Sequence, residues 1–381
     1  MNTRFTLIWD FCVKKRPILG KTGTGNLVHF VPHFRVETQS RLPEIIENLI
    51  VFPETTRVAV FHSDHVTVRT INFLLNVQRC LSHPEYRVPP SSLKHKEEFA
   101  LPVEAVQHIR KMRGGSQAHL MRCSDEQFYV VKFQNNPQHV RVLANEMLAT
   151  RLAKEVGLPV PVTEIVEVGD WLIEHTPELH VQLAHNTVRC QAGLQFGSRY
   201  VVNPMEGQVF DYISVEMLNR VRNIETFAGI LAFDKWTGNA DGRQAAFWRS
   251  SREKKYTASF IDQGYCFNAG EWTFPDYPLR GVYARNEVYS TIAGWESFEP
   301  WISRIDNFPD QRMWDIACTI PPDWYGSQTD DLEQLVTVLI VRKRLVRKLI
   351  EDFRHSPRRP FVLWANASLR IGPDKDRIAQ Q

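Results

Sequence analysis

An α+β chain is expected, with a small β-rich part followed by a mostly helical part and a separate α/β segment ahead of both. Three observations predict this. Residues 119–168 alternate as hairpin, helix and strand. From about residue 211 the apolar spacing turns helical. Residues 1–95 carry short elements of their own and end in a polar stretch, Pro89-Pro90-Ser-Ser-Leu-Lys-His-Lys-Glu-Glu, that reads as a linker.

Within that first segment, Phe5-Thr-Leu-Ile-Trp and Arg57-Val-Ala-Val-Phe-His read as strands. Residues 42–51 have helical spacing closed by Pro53, and residues 68–81 fit a strand or a helix. His62-Ser-Asp64-His65 gathers potential metal ligands, a pattern that a solvated polar surface also explains.

Residues 106–112 then lead into the turn Arg113-Gly-Gly-Ser-Gln117. Residues 119–123 and 128–133 read as paired strands joined at Ser124-Asp-Glu-Gln. Val140, Leu143, Ala144, Met147, Leu148, Leu152 and Val156 share one face of a helix over 138–156, which Gly157, Pro159 and Pro161 stop. Residues 162–168 and 194–202 read as strands, while 175–195 are polar and hard to assign. Residues 224–233 form an apolar helical run ending at Asp234. Residues 270–290, rich in Gly, Pro, Tyr and Trp, suggest an ordered loop region. Residues 332–353 read as one long amphipathic helix with a basic face of Arg342, Lys343, Arg344, Arg347 and Lys348. The organisation is therefore 1–95, then a domain over 102–355, then a loose tail over 356–381.

Composition narrows the classes. At 381 residues the chain is long enough for a large buried core. A net charge of +3, from 46 basic and 43 acidic residues, creates no field that selects nucleic acid or a membrane. No apolar stretch reaches the ~18 residues a membrane helix needs. The N-terminus shows no long apolar signal region. The cysteines, at 12, 80, 123, 190, 266 and 318, include no Cys-x-x-Cys pair and suit reduced thiols in a cytoplasmic protein.

The chemistry lies in a few polar residues set among apolar ones. Lys132 interrupts the apolar strand Tyr129-Val-Val-Lys-Phe, where it either snorkels at an edge or points into a cleft. Glu146 lies on the following apolar helix and offers it a partner. Gly114 and Gly115 would let backbone amides approach a phosphate, although two glycines also simply make a turn. Asp234-Lys-Trp-Thr-Gly-Asn239-Ala-Asp241 follows the apolar run, and Phe260-Ile-Asp262-Gln-Gly264 places a carboxylate after a second one. Carboxylate and amide oxygens in this order suit Mg²⁺ shared with substrate phosphates, beside a carboxylate that orients an attacking hydroxyl.

On those motifs, together with Asn145-Glu-Met-Leu-Ala-Thr-Arg-Leu and Gly157-Leu-Pro-Val-Pro, residues of about 102–353 resemble the HipA-like kinase family. The resemblance implies a two-lobed protein-kinase-like fold, with a small β-rich N-lobe and a mostly helical C-lobe, binding ATP and Mg²⁺ in the cleft. It implies Gly114, Gly115, Lys132 and Glu146 at the nucleotide, Asp234 as the base or hydroxyl-orienting group, and Asn239 and Asp262 as metal ligands. It further implies transfer to a serine or threonine of a protein. A lipid or small-molecule acceptor and a non-catalytic nucleotide-binding pseudokinase stand as alternatives. Three departures qualify the match. Trp236 stands where many kinases have a lysine, with Lys235 and Arg243 as possible substitutes; no His-Arg precedes Asp234; and the metal turn reads Asp-Gln-Gly. Residues 1–95 carry no part of the resemblance. The strand that contacts adenine is open between residues 171–174 and 196–200.

Overall fold

The computed structural model describes residues 101–364 and, ahead of them, four strand segments. The chain divides into two units, Met1–Asn72 and Phe73–Gln381, so the division falls ahead of the polar linker. In the first unit β1 (Phe5–Cys12) pairs antiparallel with β2 (Val31–Thr38), and β3 (Leu49–Val51) with β4 (Val58–Val60). The two expected strands are present. The helix expected over 42–51 is corrected at its end, because Leu-Ile-Val is a short β-favouring run that finds a strand partner instead of a helix face. The His62–His65 cluster, residues 68–81 and the linker lie outside the described residues.

The second unit begins with a closed sheet. Its strands are β5 (Val103–Lys111), β6 (His119–Cys123), β7 (Phe128–Lys132), β8 (Thr163–Val168) and, after the small hairpin of β9 (His180–Gln182) and β10 (Thr187–Arg189), β11 (Gly193–Arg199). The order is β11-β7-β6-β5-β8, and a short parallel pairing of β5 with β8 closes the barrel. Met121, Cys123, Tyr129 and Val131 bury one face of the hairpin against Val166 and Val168. By strand alternation Lys132 faces the other way, towards the helices.

Between β7 and β8 runs α1 (Val142–Glu155). It is buried on nearly all sides because it packs on the barrel through Ile165, Leu194 and Phe196 and on the helical part behind it. The short helix α2 (Asp170–His175) takes the place of the strand considered at 171–174. Residues 196–199 do lie in a strand, paired with β7 and β8.

The remainder is mostly helical around a small sheet of β12 (Gly207–Phe210), β13 (Gln244–Ser250) and β14 (Thr257–Ile261). Helix α3 (Thr226–Thr237) precedes β13 and is buried along its whole length. Helices α4 (Trp301–Asp306), α5 (Asp310–Ala317), α6 (Thr329–Arg342) and α7 (Val346–Arg354) follow.

Two expectations change here. The long helix of 332–353 is broken by a 3₁₀ turn at Lys343–Leu345, and its basic face is largely tied up in ion pairs. Arg342 is buried on Asp276 at 2.7 Å, Lys343 pairs with Asp310 at 2.6 Å, and Arg347 pairs with Asp306 at 3.2 Å. The segment after Ser356, expected loose, is packed as far as Trp364, because Phe361 and Trp364 stack on one another and meet Phe353 and Phe298.

Candidate active site

Three elements converge on one ammonium. Lys132 ends β7, and its Nζ donates to Glu146 Oε1 on α1 and, at 2.8 Å, to Asp262 Oδ1 just past β14. Burial opposes the lysine charge, but the two carboxylates outweigh it and hold the ammonium above the usual lysine range. Lys132 in turn holds the Asp262 carboxyl below its ordinary range. Burial pushes Glu146 the other way, against the pull of Lys132.

Glu146 also fixes the turn that carries Asp262. It accepts the backbone N–H of Gln263 at 3.0 Å and of Gly264 at 2.9 Å. Asn145 adds two bonds, to the carbonyls of Gly264 at 2.8 Å and Ala269 at 2.7 Å. Asp262 itself has φ +61°, a left-handed conformation that Asp tolerates better than most residues and that is kept where surroundings over-determine it.

The loop between α3 and β13 lies against this turn. Ala240 donates its N–H to Tyr265 O at 2.9 Å, and Arg243 Nη1 to Ile261 O at 2.9 Å. Gln244, exposed at the start of β13, donates its amide N–H to Asp262 Oδ2 at 2.8 Å. Asp241 is exposed on the loop, and its carboxylate accepts the N–H of Gly242 at 2.7 Å.

Asp234, expected as the base, is enclosed and held by an arginine. Helix α3 continues past it and stops at Gly238, whose φ of +60° makes the left-handed cap that ends many helices. Asp234 is therefore inside a helix and 1% exposed. Arg243 grips both of its oxygens, through Nη2 to Oδ1 and through Nε to Oδ2 at 2.9 Å. Asn239 is likewise buried. It donates to Asp234 Oδ1 at 3.0 Å and accepts the N–H of Asp241 at 3.1 Å, so it shapes the loop.

Gly281 seals the pair from above. Its φ is +66°, and a Cβ there would lie 2.8 Å from Asp234 Cβ. Neither lysine substitute is available. Arg243 is committed to Asp234, and Lys235 donates to the carbonyls of Pro278 at 2.8 Å and Arg280 at 2.7 Å, with burial lowering its pKa to about 8. Trp236 is a core residue whose indole N–H reaches Leu339 O at 2.8 Å.

The glycine turn lies at the end of the β5–β6 hairpin. Gly114 has φ +123° with open space around it, and Gly115 lies against the Gln138 amide in the segment that joins β7 to α1. Gln117 fastens the turn to the β9–β10 hairpin by bonds of 2.7 and 2.9 Å to the Gln182 backbone. The structure brings Lys132, Glu146 and Asp262 together, encloses Asp234 and Asn239 beside Arg243, and leaves Asp241 and Gln244, which sequence reasoning did not single out for a role, exposed nearby. The signal that separates them was present in Gly238, the true helix stop.

The oxygens of Asp262, which is 27% exposed at its side chain, and of Gln244 are hard donors on a partly open turn. Among the described residues no three His, Cys, Asp or Glu side chains form a metal cage. That donor set fits Mg²⁺, which takes one or two protein oxygens and completes its shell with phosphates and water.

A buried lysine held by a helix carboxylate and by a carboxylate on the turn after a later strand is the arrangement with which kinases hold nucleotide phosphates. The HipA-like kinase model matches residues 105–356, and the chain belongs to that family. A comparison with curated proteins finds no match. Among solved structures, the Helicobacter pylori proinflammatory kinase CtkA is similar at 12% identity and TM-score 0.34, over 64% of this chain and 99% of that one. The Golgi casein kinase with Mn/ADP bound is similar at 10% identity and TM-score 0.39, over 67% and 73%. HipA of Shewanella oneidensis MR-1, in complex with HipB and operator DNA, is similar at 13% identity and TM-score 0.39, over 84% and 77%. Among the described residues no helix is long and apolar enough to cross a membrane.

Proposed function

We propose that this chain transfers the γ-phosphoryl group of ATP to a serine or threonine hydroxyl of a protein, within a two-lobed kinase fold. The observation that carries the reading is the Lys132 ammonium, held at once by Glu146 and Asp262 from three separate elements. Family membership supports the reaction class and the protein acceptor.

In this reading Lys132 binds the α and β phosphates, and Glu146 keeps it extended while anchoring the turn of Asp262. Backbone amides of Gly114 and Gly115 close over the phosphates. Asp262 and Gln244 hold Mg²⁺, which when bound neutralises charge on the phosphate oxygens. Asp241 orients the acceptor hydroxyl and accepts its proton. The buried pair of Asp234 and Arg243, with Asn239, sets the loop on which Asp241 stands. Catalysis is then positioning and charge neutralisation, with no covalent intermediate.

Incubation with γ-labelled ATP and Mg²⁺ against proteins, Ser/Thr peptides, inositol lipids and small alcohols tests this. Label should reach a serine or threonine, and Asp241→Ala should slow transfer by roughly 10²–10⁴-fold while nucleotide still binds. Label on a lipid or alcohol alone would move the acceptor class. Equal background turnover by wild type and Asp241→Ala with every acceptor would leave only nucleotide binding.

A further inference from the structure

Among the described residues, the buried guanidinium groups of Arg141, Arg243 and Arg342 each meet a carboxylate. Arg285 does not. Its Nη1 and Nη2 are closed to solvent and have no hydrogen-bond partner. A guanidinium left in that state is costly, and each such group in a folded protein calls for an explanation.

Its position suggests one. The N–H of Arg243 reaches Val282 O at 3.1 Å, and Arg243 forms a parallel bridge with Tyr283. Val282 and Tyr283 therefore lie beside Arg243, the residue just ahead of β13, next to the loop that carries Asp241. Strand β12 also pairs with β13, with Phe210 opposite Phe247, and delivers Tyr212 close to the same point. The Tyr212 ring covers Arg285, with the guanidinium carbon 4.6 Å from the ring centroid. Tyr212 is itself 64% exposed, so the ring on this side of the cation is free to change rotamer. Asp241 lies two residues before Arg243 and Arg285 two residues after Tyr283, so the two flank that bridge at a distance on the order of 10 Å, which a few residues of an extended peptide cover.

We propose that Arg285 is an acceptor-reading subsite: it binds the oxyanion of a side chain a few residues from the hydroxyl that is phosphorylated, with Tyr212 turning aside to admit it. A planar guanidinium suits bidentate recognition of a carboxylate or a phosphate, and Tyr212 excludes water until the ligand arrives. The inference rests on the protein-acceptor reading above.

The test uses the full-length chain and fluorescent serine peptides in which a single glutamate or phosphoserine is moved from five residues before the target serine to five after it. Binding is read by polarisation without nucleotide, and transfer is read separately with γ-labelled ATP. One register should bind at least 10-fold tighter than the all-neutral peptide. Arg285→Gln should abolish that preference without changing the neutral peptide, and Arg285→Lys should restore part of it. Circular dichroism checks that both variants fold. A stronger effect of glutamate or of phosphoserine identifies the anion. An acidic-to-neutral ratio that is the same in wild type and Arg285→Gln, or no peptide binding at all, overturns the subsite. Transfer without an acidic preference rejects the subsite and leaves the kinase reading intact. A preference lost in Arg285→Gln without any transfer upholds the subsite and rejects the reading of this protein as a peptide kinase.

Discussion

Asp234 and Asp241 belong to one loop and its preceding helix, yet burial gives them different work. Asp234 neutralises an arginine that has no water to turn to, so Asp234→Ala should cost about 3–5 kcal/mol, read as a lower urea midpoint. Replacing both members, as Asp234→Leu with Arg243→Met, should recover most of that loss, because no bare charge then remains inside. Asp241→Ala should leave the midpoint within about 0.5 kcal/mol, since the side chain stands in solvent. If Asp234→Ala instead folded at wild-type stability and lost only turnover, the assignment of the two aspartates would be reversed. Lys132, Glu146 and Asp262 were legible beforehand because each interrupts or ends an apolar run, where a charge needs a partner. Asp234 met the same criterion, and the partner it finds in the structure is Arg243.

Elements were legible where periodicity is strong and local. The hairpin, α1, β8 and α3 all appear within a few residues of their expected places. What periodicity did not reveal was the closure of the barrel, in which β5 meets β8 through a parallel pairing distant in sequence. That closure encloses His119. Its Nδ1 lies 3.0 Å from His108 Nε2, its Nε2 lies 3.9 Å from Cys190 Sγ, and Phe133 meets it edge-on. Burial, with the charges of His108 and Lys111 adding to it, lowers its pKa from 6.5 to about 4. Between those two values the unfolded chain binds more protons than the folded one, so stability rises with pH across the window and is lost as pH falls from 6.5 towards 4. The loss should be on the order of 3 kcal/mol. Urea midpoints measured from pH 7 to pH 4 should show a slope that His119→Gln flattens. An unchanged slope in the variant would place the acid sensitivity elsewhere.

The described helical part closes on itself through aromatic packing that no single element displays. Tyr289, Phe298, Phe353, Phe361 and Trp364 come from separate segments and meet edge-on or stacked. Phe361→Ala should therefore cost about 3–5 kcal/mol in a denaturant titration, as a change in a central core does. Val362, its neighbour, is 61% exposed, and Val362→Ala should be nearly silent. Equal effects of the two would mean that this segment does not hold the domain shut.

Reaction class was readable in one dimension. A lysine in a strand, a glutamate on the next helix and an aspartate after a later strand are spaced by local geometry, and local geometry follows from the periods of strand and helix. Which oxygens stand open was not readable in that way. Asp234, Asn239, Asp241 and Gln244 occupy one short polar run, and only the packing of Gly281 and Arg243 over two of them leaves the other two outside. Exposure is set by chain segments far apart in sequence, and for that reason it became visible only once they had been brought together.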